Sequence, residues 1–236
     1  MSELFNKLKE FLFSPFNKKP SPDPIPDPTP EPDSYPIPEP EPSPTPDPGP
    51  SNTTTIVTPK LNIIDVRSTL PNNPRGIFWS QFTPNRPLKN IKFITVHHTA
   101  DNINDINRIN QIEINNKHAY KLGYPRIPYH FWRQETAAGG KIYWCNNLEW
   151  VTWHARNANP SSISIALVGN YANREPDQKL LTDLEMLLKK LLKELNLPII
   201  KVFGHGELGA YGNATACPGS KLLKYIKNFR KDGAMV

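Results

Sequence analysis

The chain has 236 residues, with 28 Lys and Arg against 22 Asp and Glu, a formal charge of +6, and two cysteines. Two thiols are too few to staple a small secreted domain, and no apolar run is long enough to cross a membrane as a helix, which excludes disulfide scaffolds and helical membrane proteins. Fifteen of the 27 prolines fall between Pro20 and Pro50, leaving about 186 residues for one domain with a full core.

The first segment, residues 1–19, places Leu4, Leu8, Phe11 and Leu12 on one helical face and Asn6, Lys7 and Glu10 mostly on the other. That pattern predicts a short amphipathic helix. It either contacts a membrane surface or a partner protein, or it is a tail whose apolar residues are incidental. Lys7, Lys9 and Glu10 interrupt the apolar character a secretory signal needs. The expected location is therefore the cytoplasm of the producing cell, until another route releases the protein.

Residues 20–50 carry proline at nearly every second position, with seven acids and no base. Such a run builds neither helix nor ladder and predicts a disordered, extended polyproline II spacer. At roughly 3 Å per residue it reaches up to about 90 Å; docking in a groove that reads PxxP is the other use. Residues 51–236 keep 24 bases and 13 acids, a charge near +11. A domain so charged is drawn to polyanions: nucleic acid, anionic lipid, or a bacterial wall bearing phosphate and carboxylate. No motif that reads nucleic acid accompanies the charge, so nucleic acid is not an expected partner.

The remaining chain alternates strand and helix patterns. Ile91–Val96 is a continuous apolar run suited to an interior strand, and Asp105–Leu122 shows helical spacing through Ile106, Ile109, Ile112 and Ile114. Strands are predicted at Ile127–Arg133, Lys141–Cys145 and Ile163–Val168, and helices at Gln178–Leu195 and Lys221–Arg230. Ile199, Ile200, Val202 and Phe203 form a further strand-like run. Helices interleaved with a buried sheet give an α/β fold.

The chemistry-bearing residues cluster at strand ends. His97 and His98 close the run Ile91–Val96, and alternation along a strand sends one of them to the site and the other away. His205 and Cys217 bracket a loop with glycines at 204, 206, 209 and 212, whose tolerance of positive φ would let the loop turn back on itself. A His, His, Cys set suits zinc, which in catalytic sites takes three protein ligands and leaves a position for water. Adjacent histidines are equally common as structural residues, and Cys145 reads as a buried thiol.

Four ordered blocks carry a resemblance: VHHTA (Val96–Ala100), IPYHFW (Ile127–Trp132), WHARNANPSSISIALVGNY (Trp153–Tyr171), and GH followed by TACPG (Gly204, His205, Thr215–Gly219). Together they resemble the zinc-dependent N-acetylmuramoyl-L-alanine amidases, the fold of phage endolysins and peptidoglycan recognition proteins. The resemblance covers roughly residues 91–230. It implies a central mixed β-sheet flanked by helices, Zn2+ held by His97, His205 and Cys217, and Tyr129 as the catalytic hydroxyl, with Thr215 in a secondary polar role. It further implies hydrolysis of the bond between N-acetylmuramic acid and L-alanine in peptidoglycan, by a phage lysis enzyme or a bacterial wall-remodelling one; the missing secretory signal favours lysis, and the protein is expected to be a monomer. The alternative is a non-catalytic peptidoglycan-binding module of the same fold.

A related branch uses a Glu as general base where this chain has Ala166, so proton transfer falls to Tyr129, a neighbouring histidine, or substrate and water. His154 and Trp132 are the candidates for substrate contact; His154 could instead be a hydrogen-bonded packing residue, and Trp132, Trp153 and Tyr171 could be core. Eleven residues separate His205 from Cys217, more than the family usually has. The insertion is expected to lengthen the cleft wall.

Overall fold

The computed structural model describes residues 61–82, 85–101, 111–134 and 139–235. The amphipathic segment, the Pro-rich segment and the predicted helix start at Asp105 lie outside them. The described strands form one six-stranded sheet in the order β1-β4-β3-β5-β2-β6. Their ranges are β1 Ile63–Asp65, β2 Phe93–His98, β3 Phe131–Gln134, β4 Lys141–Trp144, β5 Ser162–Leu167 and β6 Val202–Gly204. Strands β3 and β4 pair antiparallel and the other neighbours pair parallel, so the sheet is mixed, as expected.

Among the described residues, and apart from the single turn Trp79–Phe82, three helices flank the sheet: α1 Gln111–Lys121, α2 Gln178–Glu194 and α3 Ser220–Asp232. In α2 the leucines at 180, 184, 187 and 191 recur at helical spacing and are all buried. The Asp177 carboxylate accepts the Leu180 N–H at 2.7 Å and caps the helix start. Helix α3 buries Leu222, Ile226 and Phe229 and ends at Gly233, whose φ of 76° is the left-handed cap geometry. Both helices pack on Ile94, Val96, Ile163, Ile165 and Leu167, forming the main core.

The same alternation turns Phe93, Thr95 and His97 of β2, and Ser162, Ser164 and Ala166 of β5, to the opposite face. A smaller apolar cluster of Leu70, Ile127, Trp132, Cys145 and Ala166 covers part of this face, and Phe93, Ala155, Ala158 and Leu208 cover another. Between them lies a buried polar layer that includes His97, His130, His154, Ser162 and Ser164.

Two predicted strands need correction. Residues 127–130 are irregular and β3 begins at Phe131, because Pro128 has no N–H to give a ladder. Ile199–Lys201 is a 3-10 turn entered from Pro198, so β6 holds three residues.

Candidate metal centre

The parallel register sets His97 beside Ala166 on the polar face. Its ring lies 4.5 Å from that of His205 and 5.2 Å from those of Tyr129 and His154, centroid to centroid. His98 turns away: its Nδ1 accepts the Tyr171 N–H at 3.1 Å, while its own backbone N–H donates to Cys217 Sγ at 3.4 Å.

His205 follows directly on β6 and opens a 3-10 turn. Glu207 in that turn receives a two-pronged ion pair from Arg230 of α3, at 2.7 and 2.8 Å, and accepts the Gly204 N–H at 2.9 Å. The Gly206 N–H donates to the Cys217 carbonyl at 2.6 Å, closing the loop at its neck and bringing thiol to imidazole. A Cβ at Gly206 would collide with the Thr215 carbonyl oxygen, so the neck requires glycine. Of the four loop glycines, Gly212 has positive φ, at 78°, and the others do not, so close approach rather than left-handed backbone explains Gly206.

Among the described residues, His97, His205 and Cys217 form the group whose ligand atoms all lie within 4.8 Å of one another. The separation of His97 Nδ1 from Cys217 Sγ is 3.7 Å. Tetrahedral zinc with Zn–N near 2.05 Å and Zn–S near 2.3 Å would set them about 3.6 Å apart. The donor set and its spacing therefore fit a zinc ion with a fourth position for water. Both cysteines are free, and Cys145 is buried, as expected.

A hydrogen-bond relay fixes which nitrogen of His97 faces that point. The Ser162 hydroxyl lies 3.0 Å from the Ala158 carbonyl, which can only accept, so the hydroxyl donates there. It is then the acceptor for His154 Nε2–H at 3.1 Å, which leaves His154 Nδ1 to accept from His97 Nε2–H, also at 3.1 Å. His97 Nδ1 is left as a lone pair facing Cys217. Such outer partners orient ligands and raise their basicity.

Burial, followed by the neighbouring His205 and His154, holds the His97 pKa well below its ordinary value. Burial, followed by His130, does the same for His154. Burial also lowers His205, against the opposing hydrogen bond to Asn213. Neutral imidazoles are the metal-binding form. Burial pushes the Cys217 thiol up to about 12, against the lowering contact from the His98 N–H, so metal binding must displace its proton.

A cleft of about 530 Å3 adjoins the centre, with His98, His118, Tyr124, Tyr129, Trp153 and His154 among its lining. Tyr129 is held by its carbonyl, which accepts Asn146 Nδ2–H at 2.6 Å, and burial raises its phenol pKa above the ordinary value. Thr215 is exposed, and its hydroxyl accepts the Cys217 N–H at 3.2 Å. Burial removes Trp132 from the substrate-contact set: it is 0% exposed, shares the face of Ala166, and donates its indole N–H to Gln134. Tyr171 is likewise core, whereas Trp153 lines the cleft. His154 lines it too, but both its nitrogens are engaged within the protein.

The described lining of this cleft comes from residues 98–154, and the loop 206–216 packs elsewhere on the same face. There Leu208 packs with Phe93, Ala155 and Ala158, and the Tyr211 ring lies 5.6 Å from that of Phe93. Sequence reasoning missed Ser162, Asn146 and Asn213. The alternation of Ser162 and Ser164 with Ile163 and Ile165 was the available signal for a polar layer.

Comparison with known proteins agrees with this architecture. Peptidoglycan-recognition protein 1 of Holotrichia diomphalia is 28% identical over 152 residues, spanning 60% of this chain and 70% of that protein. The endolysin N-acetylmuramoyl-L-alanine amidase LysCS of Clostridium intestinale superposes with a TM-score of 0.53 at 24% identity, covering 71% of this chain and 93% of the other. Bumblebee PGRP-SA superposes with a TM-score of 0.57 at 22% identity, covering 71% and 95%. These two structural likenesses establish the fold. Residues 87–220, more than half of the chain and inclusive of every candidate ligand, match the family described as N-acetylmuramoyl-L-alanine amidase (Amidase_2), and the chain belongs to that family.

Proposed function

We propose that this chain is a zinc-dependent amidase that hydrolyses the bond between the lactyl group of N-acetylmuramic acid and L-alanine in peptidoglycan. The observation that carries the reading is the convergence of His97, His205 and Cys217, with the His97 ring 5.2 Å from that of Tyr129, which lines the adjoining cleft. When bound, zinc supplies a water-derived nucleophile at neutral pH and polarises the scissile carbonyl. His97 and His205 hold it through imidazoles kept neutral by burial, and Cys217 through a thiol that gives up its proton on loading.

Tyr129 remains protonated at neutral pH because burial raises its pKa, so its hydroxyl donates to the developing oxyanion. Ala166 places a methyl group beside His97, where a carboxylate base would stand in the related branch. His154 cannot take the proton, since both its nitrogens are engaged. That leaves Tyr129, water and the substrate to move it. Thr215 supports the turn that presents Cys217.

The setting we propose is phage lysis, with a monomer released from the cytoplasm to reach the wall. The charge near +11 of residues 51–236 suits a wall rich in phosphate and carboxylate. Residues 1–19 as a contact segment and 20–50 as a spacer complete the proposed organisation. The second reading, a binding module without turnover, draws support from the names of the relatives, which are recognition proteins.

Digestion of purified walls separates the two. The amidase reading expects new amino termini on L-alanine without new reducing sugar ends, and their loss in Cys217→Ser. Binding to walls by zinc-loaded protein without any release of L-alanine termini would leave the module reading in its place.

A further inference from the structure

We infer that Asn213, carried by the loop between His205 and Cys217, is a positioning residue that selects the metal-binding tautomer of His205. The inference rests on the zinc reading above. Asn213 is 4% exposed, and its amide is pinned by carbonyl groups. Nδ2 lies 3.0 Å from the Ala155 carbonyl and 3.5 Å from the Leu208 carbonyl. Carbonyl oxygens accept and never donate, so the NH2 end of the amide must face them and Oδ1 must face the other way.

What Oδ1 faces is His205 Nε2, at 2.9 Å. An amide oxygen is an acceptor, so this nitrogen carries the proton and the lone pair is confined to Nδ1. The direction of the whole chain, from His205 through Asn213 to Ala155, is therefore set by the carbonyl at its far end. The relay of His97 is set in the same way, by the Ala158 carbonyl through Ser162 and His154. Both imidazoles thus take their tautomer from one short stretch, Ala155–Ala158.

The loop is shaped to deliver this residue. A 3-10 turn at Gly209–Tyr211 and the left-handed Gly212 reverse the chain, and Leu208 anchors it against Phe93 and Ala155. Its residues build support beneath a ligand. Without Asn213, His205 populates both tautomers, and the form with a proton on Nδ1 must be discarded before zinc binds.

The test is zinc affinity of the 236-residue chain at neutral pH, read by competition with a chromophoric chelator, together with thermal unfolding of the zinc-free protein. Asn213→Ala should weaken zinc binding about 10- to 100-fold, the range for loss of an outer partner. Asn213→Asp keeps the acceptor for His205 and gives up the donor to Ala155. It should bind zinc within about threefold of the parent, by the same reasoning, while its zinc-free form melts earlier. In nitrogen-15 spectra of the zinc-free parent, His205 should carry its proton on Nε2, and Asn213→Ala should show a mixture.

Parent-like zinc affinity in Asn213→Ala overturns the inference, as does an Asn213→Asp affinity that falls along with it, since that pattern marks a purely structural residue. Should Asn213→Ala fail to fold, the Asn213→Asp affinity and the parent spectrum still decide. A parent that binds no zinc in the same titration sinks the zinc reading itself, and the inference with it.

Discussion

Replacing Ser162 with alanine tests whether the relay behind His97 governs metal binding. In the parent, His154 Nε2–H has Ser162 as its acceptor at 3.1 Å, inside a fully buried layer. Without the hydroxyl, the zinc-free protein can escape the loss by reversing the relay: His154 moves its proton to Nδ1, and His97 then carries its own on Nδ1. Zinc cannot accept that arrangement, because the proton would sit on the coordinating nitrogen. Loading therefore restores the original direction and leaves His154 Nε2–H buried without a partner. An orphaned buried donor costs about 1–3 kcal/mol. At 1.4 kcal/mol per tenfold, that is roughly a 5- to 150-fold weaker zinc affinity. Chelator competition at neutral pH measures it, with nitrogen-15 spectra of the zinc-free protein reporting the tautomers. A zinc dissociation constant in Ser162→Ala within twofold of the parent would refute the reasoning, as would a parent His97 that already carries its proton on Nδ1.

Two further outcomes concern stability. Burial, then the Arg86 charge, pushes the His130 pKa down to about 3, against the opposing hydrogen bond to the Trp150 carbonyl. Above the ordinary value of 6.5 both folded and unfolded states are neutral there; below it the unfolded chain takes up a proton that the folded chain refuses until about pH 3. Stability therefore falls as pH drops through that window, by up to about 1.4 kcal/mol per pH unit for this one group. Urea unfolding between pH 7 and 5 should show His130→Gln with a slope against pH shallower by about one proton, and an unchanged slope would contradict the assignment. On the other face of the sheet, Leu184→Ala should remove about 2–5 kcal/mol of unfolding free energy, since Leu184 is fully buried between α2 and the strands. A loss below about 1 kcal/mol would mean the site collapses to fill the space.

The legible parts of the sequence were those with one dominant signal. The leucine stripe of α2, the mostly apolar stretch of β2 up to His97 and the alternation of Ile163, Ile165 and Leu167 with smaller residues in β5 leave little choice of period, and each element appears within a few residues of its expected place. The three candidate ligands came from the resemblance, since a thiol twelve positions from an imidazole is too loose a spacing to identify a metal site. Strand β1 has three residues and gives almost no periodic signal. For Trp132 the core reading holds over substrate contact, and the sequence could not decide because alternation tells which face a residue takes but not what covers that face; here Ile127, Cys145 and Leu70 do. Ser162 and Asn213 act through contacts with His154 and Ala155 that depend on how the chain folds back, 58 positions apart in the second case, and no local pattern encodes them.

The hydrogen bond from the Gly206 N–H to the Cys217 carbonyl makes the ten residues between them a ring tied by the backbone itself. Sulfur and imidazole are thus brought together before any ion arrives. In a zinc finger the cation must organise its own cage, and stripping it unfolds the chain. Here a chelator should take any bound zinc and leave the scaffold standing, so loading and depletion should be reversible without aggregation. Retention of the far-ultraviolet circular dichroism spectrum after chelation, followed by full recovery of zinc content on readdition, is the behaviour such a tied ring requires.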